Sequence, residues 1–205
     1  MPFWSDGSVP TGLANQAGQY IEFFHLVSRT SVAFRAFVTS YEDKWASEWN
    51  TEEAFGRMDP IATFKRTGRK ISLGWEVVAE DHLSAYTNLA DVSKLVRMLY
   101  PSYDSGPAGV NGPARPSTTH IAGPPLLKLK FMNLIRDAKG GAGSGAGAAE
   151  SGLLGYVDGF THSPVLEEGF IEDTSEGNSL LPKAIKLSCT FTVLHTHSLG
   201  WDQYG

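Results

Sequence analysis

Near the end of the chain, in the stretch Ala184 to Val193, five apolar residues from Ile185 onward alternate strictly with four polar ones. A period of two residues is that of a β-strand with one dry face. Similar alternation returns at residues 71–77 and 127–131. Several strands therefore need cover for the same kind of apolar face, and the pattern predicts a mainly β protein.

One helix is predicted among the strands. Asp81 is a typical N-cap residue, and Pro101 marks a stop. Between them, apolar residues recur at helical spacing, which predicts a helix of about twenty residues. They are Leu83, Leu89, Val92, Leu95, Val96 and Leu99.

Two β-hairpins are predicted before this helix. The first joins residues 20–27 to residues 32–39 through a short polar turn. The second joins residues 56–64 to residues 70–79. Its predicted turn, Lys65 to Arg69, contains Gly68, which can supply a positive φ, and is rich in cations.

The other segments divide the chain into an arm and one β domain. Residues 1–18 are rich in Pro and Gly and are expected to form an extended arm, with the domain covering residues 19–205. Long loops are expected at residues 41–55, where a short helix also fits, 101–125 and 138–152. Strands are expected at residues 126–134, 153–163 and 184–194, with an acidic loop around residues 167–176.

Composition argues against a protein that reads nucleic acid. The formal net charge is −5, whereas duplex binding depends on Lys and Arg neutralising phosphates. Only 19% of residues are charged, and five Trp and eleven Phe are present. Aromatic side chains are enriched where proteins meet, so partner surfaces are expected. The first 18 residues have neither a basic start nor a long apolar run, and no membrane contact is predicted.

No catalytic, cofactor or metal site is predicted. His195 and His197 lie two residues apart on a strand end, but no third ligand is near in the sequence. The lone Cys189 lies on an apolar strand face, which predicts an unreactive thiol. The glycine-rich run and Gly152–Gly159 lack the Gly-Lys-Ser/Thr ending of a phosphate loop, and Ser144 lacks the strained elbow of a serine hydrolase.

The order of the parts carries a family resemblance. Gly56-Arg57-Met58-Asp59-Pro60-Ile61 leads into a hairpin and a helix, and Pro124-Pro125-Leu126 introduces the next strand. Gly155-Tyr156-Val157-Asp158-Gly159-Phe160 then precedes the alternating Lys186-Leu187-Ser188-Cys189-Thr190-Phe191. Over residues 55–199 the chain resembles the tube-forming proteins of contractile phage tails and related injection machines.

This resemblance implies a tail-tube-like antiparallel β-sandwich or barrel, flanked by a helix, with a long hairpin and an extended N-terminal arm. It implies a homo-oligomeric ring, six-fold in that family, whose lumen passes DNA without specific binding. We expect residues 56–79, 153–163 and 184–194 to form the ring wall, with the helix outside it. The implied partners are other tail tube and baseplate proteins, in a virion tail assembled in the host cytoplasm. The added arm and loops favour a ring at the junction of baseplate and tube over a plain tube subunit.

Interface residues are expected in the middle of the chain. Large aromatic side chains predict contacts, and the cationic turn predicts salt-sensitive stacking on an acidic loop of an adjacent ring. Arg57 and Asp59 form ion pairs either between subunits or locally. The predicted interface residues are Trp45, Trp49, Phe55, Arg57, Asp59, Lys65, Arg66 and Arg69.

Two other classes of function stay open. A receptor- or glycan-binding β-sandwich of a virion would use the same alternating strands and place Trp45 and Trp49 against sugars. An enzyme that uses His195, His197 and a loop carboxylate is the third possibility. It is disfavoured because the sequence supplies no matched set of catalytic residues.

Overall fold

A computed structural model describes residues 20–35, 37–105, 116–137, 147–173 and 179–196. The predicted arm at 1–18 and most of the glycine-rich run lie outside these residues, as does His197. The strands are β1 (Ile21–His25), β2 (Thr30–Phe34), β3 (Phe37–Glu52), β4 (Ile61–Val78), β5 (Ser102–Ser105), β6 (Pro116–Gly123), β7 (Leu127–Phe131), β8 (Leu153–Pro164), β9 (Phe170–Asp173), β10 (Ser179–Pro182) and β11 (Ala184–Val193). The helices are α1 (His82–Met98) and the single turn α2 (Ala148–Ser151), and a 3₁₀ turn spans Leu166–Glu168.

Seven strands form one antiparallel sheet in the order β2-β1-β7-β8-β11-β4-β3. Two small sheets, β5 with β6 and β9 with β10, lie beside it. The prediction of a mainly β protein with a helix is confirmed, as are the strands at β7, β8 and β11. The first hairpin is confirmed as β1 and β2, but its second strand ends at Phe34, and residues 37–39 of the predicted strand belong to β3.

The large sheet curls back on itself around the core. In a flat sheet β1 and β4 would be separated by four strand spacings, about 19 Å. The rings of Phe23 on β1 and Trp75 on β4 are instead 5.9 Å apart between centroids. Both side chains are fully buried. The curl gives the sheet a barrel-like cross-section, although the end strands β2 and β3 form no ladder with each other.

Helix α1 begins and ends close to the predicted residues. Asp81 accepts a hydrogen bond from the backbone N–H of Ser84, and the Ser84 hydroxyl bonds back to the Asp81 backbone N–H, which makes a capping box. Val92 and Leu95 belong to the main core rather than to a separate outer layer. The helix packs against β2, β9 and β10.

Lys94 of this helix covers one end of the sheet. Its Nζ donates a hydrogen bond of 2.8 Å to the backbone carbonyl of Ser31 on β2. Edge strands expose unpaired backbone groups, and a charged side chain over the edge is one way of blocking further pairing.

The prediction of a loop or short helix at residues 41–55 is wrong, because Phe37–Glu52 is a continuous strand. The prediction of a hairpin at 56–79 is also wrong. Residues 61–78 form one strand, paired with β3, and the turn lies at residues 53–60. Gly68 is a strand residue opposite Ala46, while Gly56 has the positive φ of +83°. Hence Lys65–Lys70 lie within a strand and not on a turn.

Two other predicted loops contain regular structure. The segment 101–125 includes β5 and β6, and the acidic segment after β8 includes the 3₁₀ turn and the β9–β10 hairpin. The sequence does not reveal these strands because β5, β9 and β10 have only four residues each, and the longer β6 (Pro116–Gly123) shows no regular alternation of apolar and polar residues. Only residues 147–152 of the predicted loop at 138–152 are described, and they contain α2.

Candidate interaction surface

Strands β8, β11, β4 and β3 are consecutive in the sheet and form what we call the wall. One face of the wall carries the core. The opposite face, which we call the polar face, consists of four cross-strand rows defined by the ladder registers. They are Ser163–Lys186–Glu76–Phe37, Thr161–Ser188–Gly74–Ser40, Gly159–Thr190–Ser72–Glu42 and Tyr156–Thr192–Lys70–Lys44.

Charge is nearly balanced across the polar face. Its rows contain three lysines and two glutamates, with Asp158 at a bulge beside them. Lys70 Nζ lies 2.6 Å from Asp158 Oδ2. This hydrogen bond lowers the pKa of Asp158 and raises the pKa of Lys70. The remaining positions are mostly hydroxyl side chains and glycines, so the face is hydrophilic without being strongly basic.

Beyond the wall, β3 and β4 continue as a two-stranded ribbon. The pairing of β11 with β4 ends at Thr192 and Lys70, whereas β4 pairs with β3 as far as Ile61. The ribbon, residues 43–52 and 61–69, extends about 30 Å at the usual rise per strand residue.

The ribbon has one aromatic face and one charged face. The aromatic face consists of Trp45, Trp49 and Phe64 of the ribbon together with Tyr41 just before it, and it lies on the side of the sheet that faces the core within the wall. Trp45 and Trp49 are 60% and 55% exposed. The Trp49 and Phe64 rings lie 5.1 Å apart in an edge-to-face arrangement. Exposed aromatic side chains grouped on one face of an element are typical of an interaction surface.

Two ion pairs brace the ribbon, one on each face. Arg69 Nη2 lies 2.6 Å from Asp43 Oδ2, with side-chain exposures of only 18% and 9%. Hydrogen bonding to Asp43 raises the pKa of Arg69, whose guanidinium also lies 5.1 Å from the centre of the Trp45 ring. On the charged face, Arg66 forms two hydrogen bonds, of 2.9 and 2.8 Å, with the carboxylate of Glu48.

The tip of the ribbon, which is the turn at residues 53–60, presents two apolar side chains to solvent. Phe55 and Met58 are 110% and 99% exposed. The Arg57 N–H donates to the Ala54 carbonyl across a tight turn, in which Gly56 has a positive φ. Only glycine takes that conformation at no steric cost, so the turn positions Phe55.

The structure brings all eight predicted interface residues onto the ribbon and its tip. Trp45, Trp49 and Arg69 lie on the aromatic face, and Arg66 on the charged face. Lys65 is the unpaired residue of a bulge opposite Glu48 and Trp49, and Phe55, Arg57 and Asp59 are at the tip.

The predicted cationic cluster differs from expectation. Arg66, Arg69 and Lys70 each pair with a carboxylate of this chain. Among the described residues no local ion pair joins Arg57 to Asp59. Sequence reasoning missed Tyr41 and Phe64 as members of the aromatic face, because that face appears only once the β3–β4 register is known.

Two strand edges of the wall are open within the described residues. Strand β3 has a partner only on its β4 side. Strand β8 pairs with β7 only through residues 153–155, so Tyr156–Pro164 has no ladder on that side. These open edges were not located by the sequence, which shows alternation but not strand order.

The part of the chain that the structure describes contains no group of three His, Cys, Asp or Glu side chains placed to hold a metal ion. His195 is exposed just after β11. Cys189 is buried, and burial raises the pKa of its thiol to about 12. The thiol is therefore not positioned as a nucleophile.

Within the described residues, neither helix has the length and apolar character needed to span a bilayer. Comparison with models of known protein families finds no match to this chain. Comparison with curated proteins finds no match either. The fold defines a mainly β protein, and its candidate site is the wall with the projecting ribbon.

Proposed function

We propose that this protein is a structural component of a phage contractile tail, which forms a ring around the DNA channel at the baseplate–tube junction or in the tail tube. The observation that supports this most directly is the wall, a block of four strands with an open edge on each side. Within the described residues, each edge carries backbone N–H and C=O groups without a strand partner, and pairing with a second copy would satisfy them.

Strand directions suit closure of a ring. Strands β3 and β11 run toward the ribbon, and β4 and β8 run away from it. Since the number of strands is even, β3 of one copy placed beside β8 of the next copy is antiparallel to it, as at every other position in the wall. This contact is head-to-tail, and head-to-tail contacts generate closed rings when the rotation closes.

The polar face supports the role of a channel lining. Positive charge along a DNA path would hold the phosphates, because neutralising them releases counterions. The rows of the polar face carry hydroxyl groups and nearly balanced charge. DNA would pass such a lining without specific binding.

The ribbon supplies a surface for unlike neighbours. Its exposed aromatic face and its tip would contact other tail tube or baseplate proteins above or below the ring. The role is structural and not enzymatic, with no cofactor and no membrane partner. The protein would act in the virion tail after assembly in the host cytoplasm.

Electron microscopy of the purified full-length protein, alone and with candidate tail proteins, tests the proposal. The expected particles are rings with a central channel, six-fold by the family resemblance. Hydrogen exchange on the same sample should show slower exchange in β3 and in residues 156–164 upon assembly. Strand β2, covered by Lys94, serves as an internal control with little change. A protein that remains monomeric with every candidate partner contradicts the proposal.

A second candidate function is a receptor- or glycan-binding module of a virion. The observation that favours it is the pair of half-exposed indoles, Trp45 and Trp49, on one face of the ribbon. Stable monomers in light scattering, together with glycan binding that is lost in the Trp49→Ala variant, would support it over the ring.

A further inference from the structure

A shallow apolar depression lies beside the open edge of β8. It has a volume of about 240 Å³ and is formed by Leu99, Pro124, Pro125, Leu126, Tyr156 and Val157. On this measure a single water needs only about 10–15 Å³, so the depression is large enough for part of an aromatic ring system. None of the six side chains is charged.

The depression marks the point at which the open edge of β8 ends. Tyr156 and Val157 are the first residues of that edge, and the next residue toward the ribbon end, Gly155, is paired with Leu127 of β7. A strand added along β8 can therefore pair with residues 156–164 and must leave the sheet beside Leu126. A side chain on the core-side face of the added strand would contact the depression at this point.

The cross-strand rows indicate which residue of the added strand would reach the depression. Tyr156 lies in the row that ends at Lys44 on β3. If the rows cross from one copy to the next without a shift, Lys44 of the next copy lies beside Tyr156, and Trp45 is one residue farther along. Trp45 faces the core side of the sheet, the side on which Val157 packs against the core.

We infer that Trp45 of one copy occupies the depression formed by Leu99, Pro124, Pro125, Leu126, Tyr156 and Val157 of the next copy. This inference rests on the proposed ring. In this arrangement the Trp45 ring fixes the lateral contact between copies, and Trp49 and the tip of the ribbon are left to contact other neighbours. The indole is free to make this contact, since it is 60% exposed although the Arg69 guanidinium lies over its ring.

Site-specific photo-crosslinking tests the contact. The full chain carries p-benzoylphenylalanine in place of Trp45, is assembled, irradiated and analysed by denaturing gel and peptide mass spectrometry. The expected result is a ladder of covalent oligomers with the crosslink in the peptides around Pro124–Leu126 or Tyr156–Val157. The same group at Phe37, an exposed aromatic position on the opposite face of β3, should give no crosslink to these peptides.

The outcomes separate the inference from the proposed function. Rings whose position-45 crosslinks stay within one chain, for example to residues 1–19, overturn the inference and leave the ring intact. Rings in which position 49 reaches the depression and position 45 does not overturn it as well. Absence of any ring contradicts the proposed function itself.

A variant adds a quantitative test. Trp45→Ser should raise the protein concentration needed for half-assembly at least about tenfold, the weakening expected from loss of an interface anchor. The residue is exposed on the ribbon, so the monomer should fold normally, as circular dichroism can verify. Unchanged assembly of the folded variant overturns the inference.

Discussion

The rings of Phe23 and Trp75 lie 5.9 Å apart, although the strands that carry them are separated by three others in the sheet. Phe34 completes the group, with its ring 5.9 Å from Trp75 and 6.4 Å from Phe23. The three aromatic residues join the two ends of the curled sheet. They hold the wall in its curvature, because without them the apolar face would open to water.

Truncation of this contact should be costly. We expect Trp75→Ala to lower the free energy of unfolding by about 3–5 kcal/mol, the usual loss for a fully buried aromatic residue. Phe37→Ala, at an exposed aromatic residue of β3, should cost less than about 0.5 kcal/mol. Chemical denaturation measures both. A similar loss in the two variants would show that the curl does not depend on the Trp75 contacts.

The two ion pairs of the ribbon should differ in their contributions. Asp43→Asn leaves the largely covered Arg69 without its carboxylate and should cost on the order of 2 kcal/mol, less than for a fully buried pair because some solvent reaches the guanidinium. Glu48→Gln removes an exposed pair on the same ribbon, and we expect no measurable loss. Equal losses in urea denaturation would contradict this ranking.

Two glycines of β8 provide a matched pair. A Cβ at Gly155 would contact the Thr192 carbonyl oxygen and lie 2.7 Å from the Phe191 ring. Gly155→Ala should therefore destabilise the fold by about 1–3 kcal/mol, as overpacking does. At Gly159 nothing lies within 4 Å of such a Cβ, so Gly159→Ala should leave the melting temperature unchanged or slightly higher. If Gly159→Ala proved more destabilising than Gly155→Ala, the close approach of β8 and β11 would not lie at Gly155.

His25 should make stability depend on pH. Burial lowers its pKa below the ordinary 6.5, and Nδ1 accepts a hydrogen bond of 3.3 Å from the Ser28 N–H. The unfolded chain thus binds a proton more readily than the folded one. The contribution of the neutral ring is complete above pH 6.5 and is lost as pH falls from 6.5 through the lower folded pKa.

The measurement is the free energy of unfolding of wild type and His25→Leu between pH 8 and pH 5. The decline of the wild type toward pH 5 should be shallower in the variant, since the variant lacks this titration. Parallel curves would mean that His25 titrates alike in both states.

The strands that sequence predicted well are those with one buried face. In β11, Ile185, Leu187 and Phe191 are buried and alternate with polar residues, so burial and sequence period agree. The capped helix was equally readable, because Asp81 and Pro101 bracket a clear helical period. In contrast, most of Phe37–Glu52 is exposed on both faces, and no apolar and polar alternation can appear there.

The candidate site was predicted only in part. Residue type was informative, since Trp45 and Trp49 proved to be exposed aromatics on one element. The partners of Arg66 and Arg69 were not predictable, because they depend on the register between two strands and a bulge at Lys65. The depression beside β8 joins Leu99, which follows α1, with the Pro124–Leu126 segment and β8, and these parts come together only in three dimensions.

Because the ribbon is at one end of the wall, copies related by rotation would all point their ribbons in the same direction. One rim of such an assembly would bristle with projections, and the opposite rim would be comparatively smooth. Stacks of such rings would be polar, and the two rims would bind different partners.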